Sequence, residues 1–171
     1  MRIIAIDPGT ESSGFVVLQD ARVIRTNTYP NREILLELRS GPHADAAACE
    51  MVSHYGSGMA VGREVFETVE WIGRFREAWE ARGSRFVRVF RREVKIHLCG
   101  SVKAKDANVR QALLDLYGGK DFAIGRKRDP GPLYGVSGHE WQALAVGVTA
   151  LNMHLQPPFT PAQPALFEER P

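Results

Sequence analysis

Residues 1–18 read MRIIAIDPGTESSGFVVL. Ile3-Ile4-Ala5-Ile6 is an apolar, mostly β-branched run of the kind that forms a strand packed on both faces. Asp7 ends the run, Pro8-Gly9 punctuates it, and Phe15-Val16-Val17-Leu18 resumes as a second strand. A carboxylate at the end of a buried strand is costly unless a charged or hydrogen-bonding group meets it. A metal ion is one such partner. The competing reading makes Asp7 a turn former before Pro8, and the buried run behind it favours the ligand.

Outward from this stretch, Gln19-Asp20 reads as a hairpin turn and Arg22 to Thr26 as a third strand. Pro30 or Asn31 opens a short helix, Arg32 to Leu38, with Ile34, Leu35 and Leu38 on one face. Asp45 to Val52 is a fourth strand of small and apolar residues that also closes on a carboxylate, Glu50. After the glycine-rich loop His54 to Gly58, a long helix from Met59 to Ala81 carries Val61, Val65, Val69, Ile72, Phe75 and Trp79 at three- and four-residue steps. Phe86 to Phe90 is a fifth strand, Ala104 to Leu116 a helix, and His139 to His154 a strongly apolar last helix. Residues 120–138 read as a loop whose length suggests a role of its own. The order β-β-β-α-β-α-β-α-α predicts an α/β domain over 1–154, a mixed five-stranded sheet flanked by helices, followed by a proline-rich tail, 155–171.

Composition narrows the class. The 171 residues are 44% hydrophobic and 25% charged, an ordinary globular balance, and no apolar stretch approaches a membrane span. The N-terminus enters a strand directly, without the layout of a secretory leader. Cys49 and Cys99 form no CxxC, so two structural thiols in a reducing cytoplasm are expected, with a single disulfide left open. The net charge of +2 is unevenly spread: residues 1–81 carry 8 Lys and Arg against 12 Asp and Glu, whereas 82–128 carry 13 against 4. That basic middle segment suits a polyanion, although a solvated charged face explains it equally well.

Asp7 and Glu50 close two strands, and His139-Glu140 opens the last helix. In α/β sheets, strand ends and helix N-termini gather at one edge, where sites form. A cluster rich in carboxylate oxygen favours a hard divalent cation such as Mg2+ or Mn2+, and a pair of such ions can drive phosphodiester hydrolysis.

Four stretches together resemble the RuvC-type Holliday-junction resolvases, which have the ribonuclease H-like fold. IIAIDPGTESSGFVVL resembles their first-strand signature, and CEM (Cys49 to Met51) the strand bearing their second acidic ligand. REVKIHLCGSVKAKDANVRQAL resembles their strand-end lysine, glycine and basic turn into a helix. HEWQALAV resembles the start of their last helix, which carries two ligands three residues apart. Those two are usually Asp-x-x-Asp, with His accepted first; here they fall on His139 and the neutral Gln142, with Glu140 adjacent as a substitute carboxylate. The long helix is more similar to phage-encoded relatives.

The resemblance implies a metal-dependent endonuclease of DNA recombination and repair that cleaves branched DNA. It would use two Mg2+ or Mn2+ ions held by Asp7, Glu50, His139 and either Glu140 or Gln142, with Asp7 bridging. Thr10 and Ser12 would contact the phosphate backbone, and Tyr55 would stack on an unpaired base. Lys95, Lys103, Lys105, Arg110, Arg126, Lys127 and Arg128 would supply further phosphate contacts. Two opposed incisions imply a homodimer, its interface drawn from the long helix and the last helix.

Three rivals stand beside this reading. A D-x-G-T loop also opens sugar kinases and actin-like ATPases, but those enclose ATP between two such domains and this chain has room for one. Gln142 in place of a carboxylate suits a protein that binds branched nucleic acid without cutting it. An RNA-processing nuclease of the same superfamily is the nearest rival. In the tail, Gln163, Leu166 and Phe167 form a Q-x-x-L-F sequence similar to sliding-clamp peptides, against the plainer reading that Leu166 and Phe167 fold back on their own domain.

Overall fold

The computed structural model describes residues 1–53 and 62–155. Tyr55, the loop His54 to Gly58, the expected helix start at Met59 and the tail with Gln163, Leu166 and Phe167 lie outside the described residues.

Strands β1 (Arg2–Asp7), β2 (Ser12–Gln19) and β3 (Arg22–Pro30) form an antiparallel meander. Its second turn is Asp20-Ala21, with φ of 46° and 67°, the handedness that two-residue hairpins require. Helix α1 (Asn31–Ser40) leads to β4 (Ala46–Met51), which runs parallel to β1, and α2 (Arg63–Glu80) leads to β5 (Arg85–Phe90), parallel to β4. The sheet order is β3-β2-β1-β4-β5. Next come α3 (Arg91–Cys99), α4 (Asp106–Leu116), α5 (Lys120–Ile124), the small hairpin β6 (Gly125–Arg126) and β7 (Asp129–Pro130), and α6 (Glu140–Ala150) with a π turn at Leu151–Leu155.

Strand alternation divides the core between the two faces of the sheet. Ile4, Ile6, Phe15, Val17, Ala47 and Cys49 pack under α1 and α2 against Leu38, Ile72, Phe75 and Trp79. Ile3, Ala5, Val16, Leu18, Ala48 and Val89 face the other way, toward α6 and toward Val94, Val109 and Leu113. Small residues bring α6 close to the sheet. A Cβ on Gly147 would lie 2.7 Å from Leu18 Cδ1 and 3.0 Å from the Ala5 Cβ.

The expected fold class is observed, with three departures. Residues 91–99, where the resemblance implies a strand-end lysine, form α3; Glu93 Oε2 accepts from the Phe90 amide at 2.6 Å and starts the helix. The expected loop 120–138 carries α5 and the β6–β7 hairpin. The last helix, expected to share in a subunit interface, is mostly interior: every residue from Glu140 to Leu151 except Gln142 is buried within the chain, and Met153 beyond it is exposed. On α2, by contrast, Ile72, Phe75, Ala78 and Trp79 are buried while Phe66 is 65% exposed.

Candidate active site

The register of β1 and β4 pairs Ile6 with Cys49, so Asp7 and Glu50 stand side by side one residue further along. Adjacent strands lie about 5 Å apart, and Ile6 and Cys49 point into the α1–α2 core, which turns both carboxylates toward the α6 face. Each of these two side chains is 17% exposed.

Asp7 pairs across β2 with Gly14. A Cβ on Gly14 would sit 2.4 Å from the His139 carbonyl oxygen, so the bare glycine lets the start of α6 settle over the strand. His139 Nδ1 consequently lies 3.2 Å from Asp7 Oδ2, with the imidazole otherwise open to solvent. The β1–β2 loop is held from beneath by a small polar network. Gly9 N donates to Ser13 Oγ at 3.1 Å, Ser13 Oγ donates to Asn31 Oδ1 at 2.6 Å, and Asn31 Nδ2 donates to Gly9 O at 2.9 Å.

Arg91, the first residue of α3, completes the site. Its Nη1 donates to Gln142 Oε1 at 2.5 Å and to Glu50 Oε2 at 3.2 Å, and its Nη2 bonds Asp106 at the start of α4. One guanidinium thus ties together β4, α6 and α4. Burial raises the pKa of Asp7, and the hydrogen bond and charge of His139 oppose it. Burial pushes the Glu50 carboxyl up to about 7; Arg91 pulls it down and the Asp7 charge adds to the rise. Burial works against the charge on Arg91, yet Glu50, Asp106 and Asp7 together keep its pKa above the ordinary arginine value.

The expected ligands therefore divide. Asp7 meets His139 and stands beside Glu50. Glu140 does not join them: its Oε2 accepts from Thr26 Oγ1 at 2.8 Å and from the Ser137 amide at 3.2 Å. Thr26 lies on β3, two strands from β1 on the side away from β4. The substitute carboxylate is thus drawn across the sheet, away from Glu50, because neighbouring helical side chains diverge by about 100°. Gln142 reaches the site, but its oxygen is engaged by Arg91. Among the described residues, no three His, Cys, Asp or Glu side chains form a ready-made metal cage. The donor chemistry fits one hard cation near Asp7, where two desolvated carboxylates stand beside an accessible imidazole. It does not fit a second cation between Glu50 and position 142, because a guanidinium nitrogen already bridges those two oxygens.

Of the expected DNA contacts, Thr10 lies in the β1–β2 loop beside Asp7 and Ser12 is exposed at the start of β2. Lys103 and Lys105 are exposed before α4, and the Arg110 guanidinium stacks 4.8 Å over Trp141 near the start of α6. Lys95 is partly buried within α3, not at a strand end. Arg126, Lys127 and Arg128 are exposed on the β6–β7 hairpin.

Two solved structures share this architecture. Thermus thermophilus RuvC superposes with a TM-score of 0.59 at 19% identity, over 87% of this chain and 92% of that one. The fold is that of RuvC. T. thermophilus RuvC in complex with a Holliday junction substrate matches equally well, with a TM-score of 0.59 at 18% identity over 87% and 91%. Neither the family models nor the curated proteins contain a match to the sequence.

Sequence reasoning missed Arg91, Asp106 and Asn31 as parts of the site. Asn31 read only as a helix opener and Asp106 only as a cap or turn residue; each is the first residue of its helix, and Arg91 was one basic residue among many. The available signal was Gln142: a neutral side chain at a position usually acidic invites a search for a resident cation.

Proposed function

We propose that the chain is a divalent-metal-dependent endonuclease of branched DNA, a Holliday-junction resolvase. The observation that carries this reading is the side-by-side placement of Asp7 and Glu50 on adjacent parallel strands beneath the start of α6. The RuvC fold and its occurrence in a complex with a Holliday junction support the choice of substrate.

Asp7, Glu50 and His139 would hold the cation. When bound, a divalent ion there supplies Lewis acidity and makes water a better nucleophile at neutral pH. Hydrolysis adds water across one P–O bond: the water oxygen bonds to phosphorus, the bond to the leaving deoxyribose oxygen breaks, and that oxygen ends protonated. The chain's own residues bind and orient the strand. Thr10 and Ser12 face its phosphates beside Asp7, while Lys103, Lys105, Arg110 and the hairpin residues Arg126, Lys127 and Arg128 form a basic border that makes affinity fall with salt. Opposed incisions call for two copies of the chain, and the exposed Phe66 and Val69 of α2 offer an apolar face for that pairing. The setting is the cytoplasm.

The second reading, a branched-DNA binder that does not cut, is favoured by one observation, the capture of both Glu50 and Gln142 by Arg91. A synthetic four-way junction incubated with the protein in Mg2+ or Mn2+ separates the two. Paired nicks across the junction support the nuclease, and tight binding with no nick at any salt supports the binder. Flap, duplex and structured-RNA substrates in the same assay establish junction selectivity.

A further inference from the structure

Both oxygens that would flank a second cation, Glu50 Oε2 and Gln142 Oε1, accept from a single nitrogen, Arg91 Nη1. The other terminal nitrogen of the same guanidinium is anchored on Asp106. Arg91 is only 19% exposed and is fixed from β4, α4 and α6, so its charge is part of the folded site and does not wave over it. The neutral amide at position 142 accepts from that guanidinium without adding another carboxylate beside Asp7, Glu50 and Asp106.

We propose that Arg91 takes the place of a second metal ion, so that the site binds one divalent cation, on Asp7 with Glu50 and His139, and meets the remaining anionic charge of the phosphodiester with a guanidinium. A guanidinium charge held in a partly desolvated pocket stabilises developing negative charge without any need to bind from solution. In this site Arg91 is a resident substitute, hydrogen-bonded to Gln142. The inference deepens the nuclease reading and rests on it for the substrate, but the number of ions bound is a separate quantity.

The experiment is a Mn2+ titration of the full chain, followed by the loss of the free-ion paramagnetic resonance signal and by calorimetry. It compares the wild type, Asp7→Asn, Gln142→Asp, and the double variant Arg91→Gln/Gln142→Asp, with circular dichroism confirming that each is folded. Expected are one ion for the wild type, loss of binding by at least tenfold for Asp7→Asn, and two ions for the double variant, with spin coupling between them. Gln142→Asp alone keeps one ion, because Arg91 still fills the space. Two ions in the wild type would overturn the inference and leave the nuclease reading intact. No ion in the wild type would overturn both. One ion without any junction cleavage would sink the nuclease reading and uphold the charge substitution.

Discussion

Arg91 Nη1 donates to Gln142 Oε1 at 2.5 Å and to Glu50 Oε2 at 3.2 Å, so a residue of α3 fastens the end of β4 to the first turn of α6. Removing it strands a poorly solvated Glu50 carboxylate beside Asp7. Arg91→Met should lower the stability of the metal-free protein at pH 8 by about 3–5 kcal/mol, the range for breaking a buried ion pair. Urea unfolding measures this. Added Mn2+ should recover more stability in the variant than in the wild type, because the ion restores the missing positive charge.

The pH dependence follows from Glu50. Its folded pKa is raised from an ordinary 4.5 to about 7, so the folded state favours the protonated carboxyl. The resulting stabilisation is fully present below pH 4.5 and is lost as pH rises through 7, and the raised pKa of Asp7 acts in the same direction. For the metal-free protein, the contribution lost is of order 3 kcal/mol. Urea midpoints measured in EDTA from pH 5 to pH 8 should fall, and Glu50→Gln should flatten much of that slope. Cation affinity should move the opposite way, rising with pH as the ligands ionise.

Gly14→Ala tests the close approach that aims His139 at Asp7. The new Cβ would meet the His139 backbone carbonyl at 2.4 Å, and a backbone atom cannot rotate aside. A destabilisation of about 1–3 kcal/mol is expected from this overpacking. The displaced start of α6 should also weaken Mn2+ binding, whereas Gly73→Ala, on the open face of α2, should do neither.

Asn31→Ala removes the link between Ser13 and the Gly9 carbonyl under the β1–β2 loop. Leaving those buried groups without Asn31 should cost about 1–3 kcal/mol. Faster amide hydrogen exchange confined to residues 8–13 would identify the loop as the part that loosens.

The sheet was legible in the sequence because its central strands are unambiguous. Ile3 to Ile6 and Phe15 to Leu18 are apolar runs closed by turn residues, and the small residues of Ala46 to Cys49 leave room for α6. Asp7 and Glu50 were legible for the same reason: each is the first charge after a buried run. Residues 91–99 were not. In Glu93-Val94-Lys95-Ile96-His97-Leu98 polar and apolar residues alternate as in a strand, yet the Glu93 cap starts a helix in which Val94 is buried and Ile96 is 45% exposed. Arg91 was hidden for the same reason, since its meaning depends on a helix swinging it toward Glu50 and Gln142. Glu140 looked like the missing ligand because adjacency in sequence says nothing about which side of a helix faces the site. Its partner, Thr26, is 114 residues away.

The most direct measurement is cleavage of a synthetic four-way DNA junction by the wild-type chain and by Asp7→Asn, in Mg2+ and in EDTA, with junction affinity recorded in parallel. Paired nicks from the wild type in Mg2+ alone are predicted, together with at least a thousandfold slower cleavage by Asp7→Asn and affinity unchanged or improved, since one negative charge facing the phosphates is gone. Cleavage that survives in Asp7→Asn or in EDTA, or a wild type that binds the junction and never cuts it, would contradict the account.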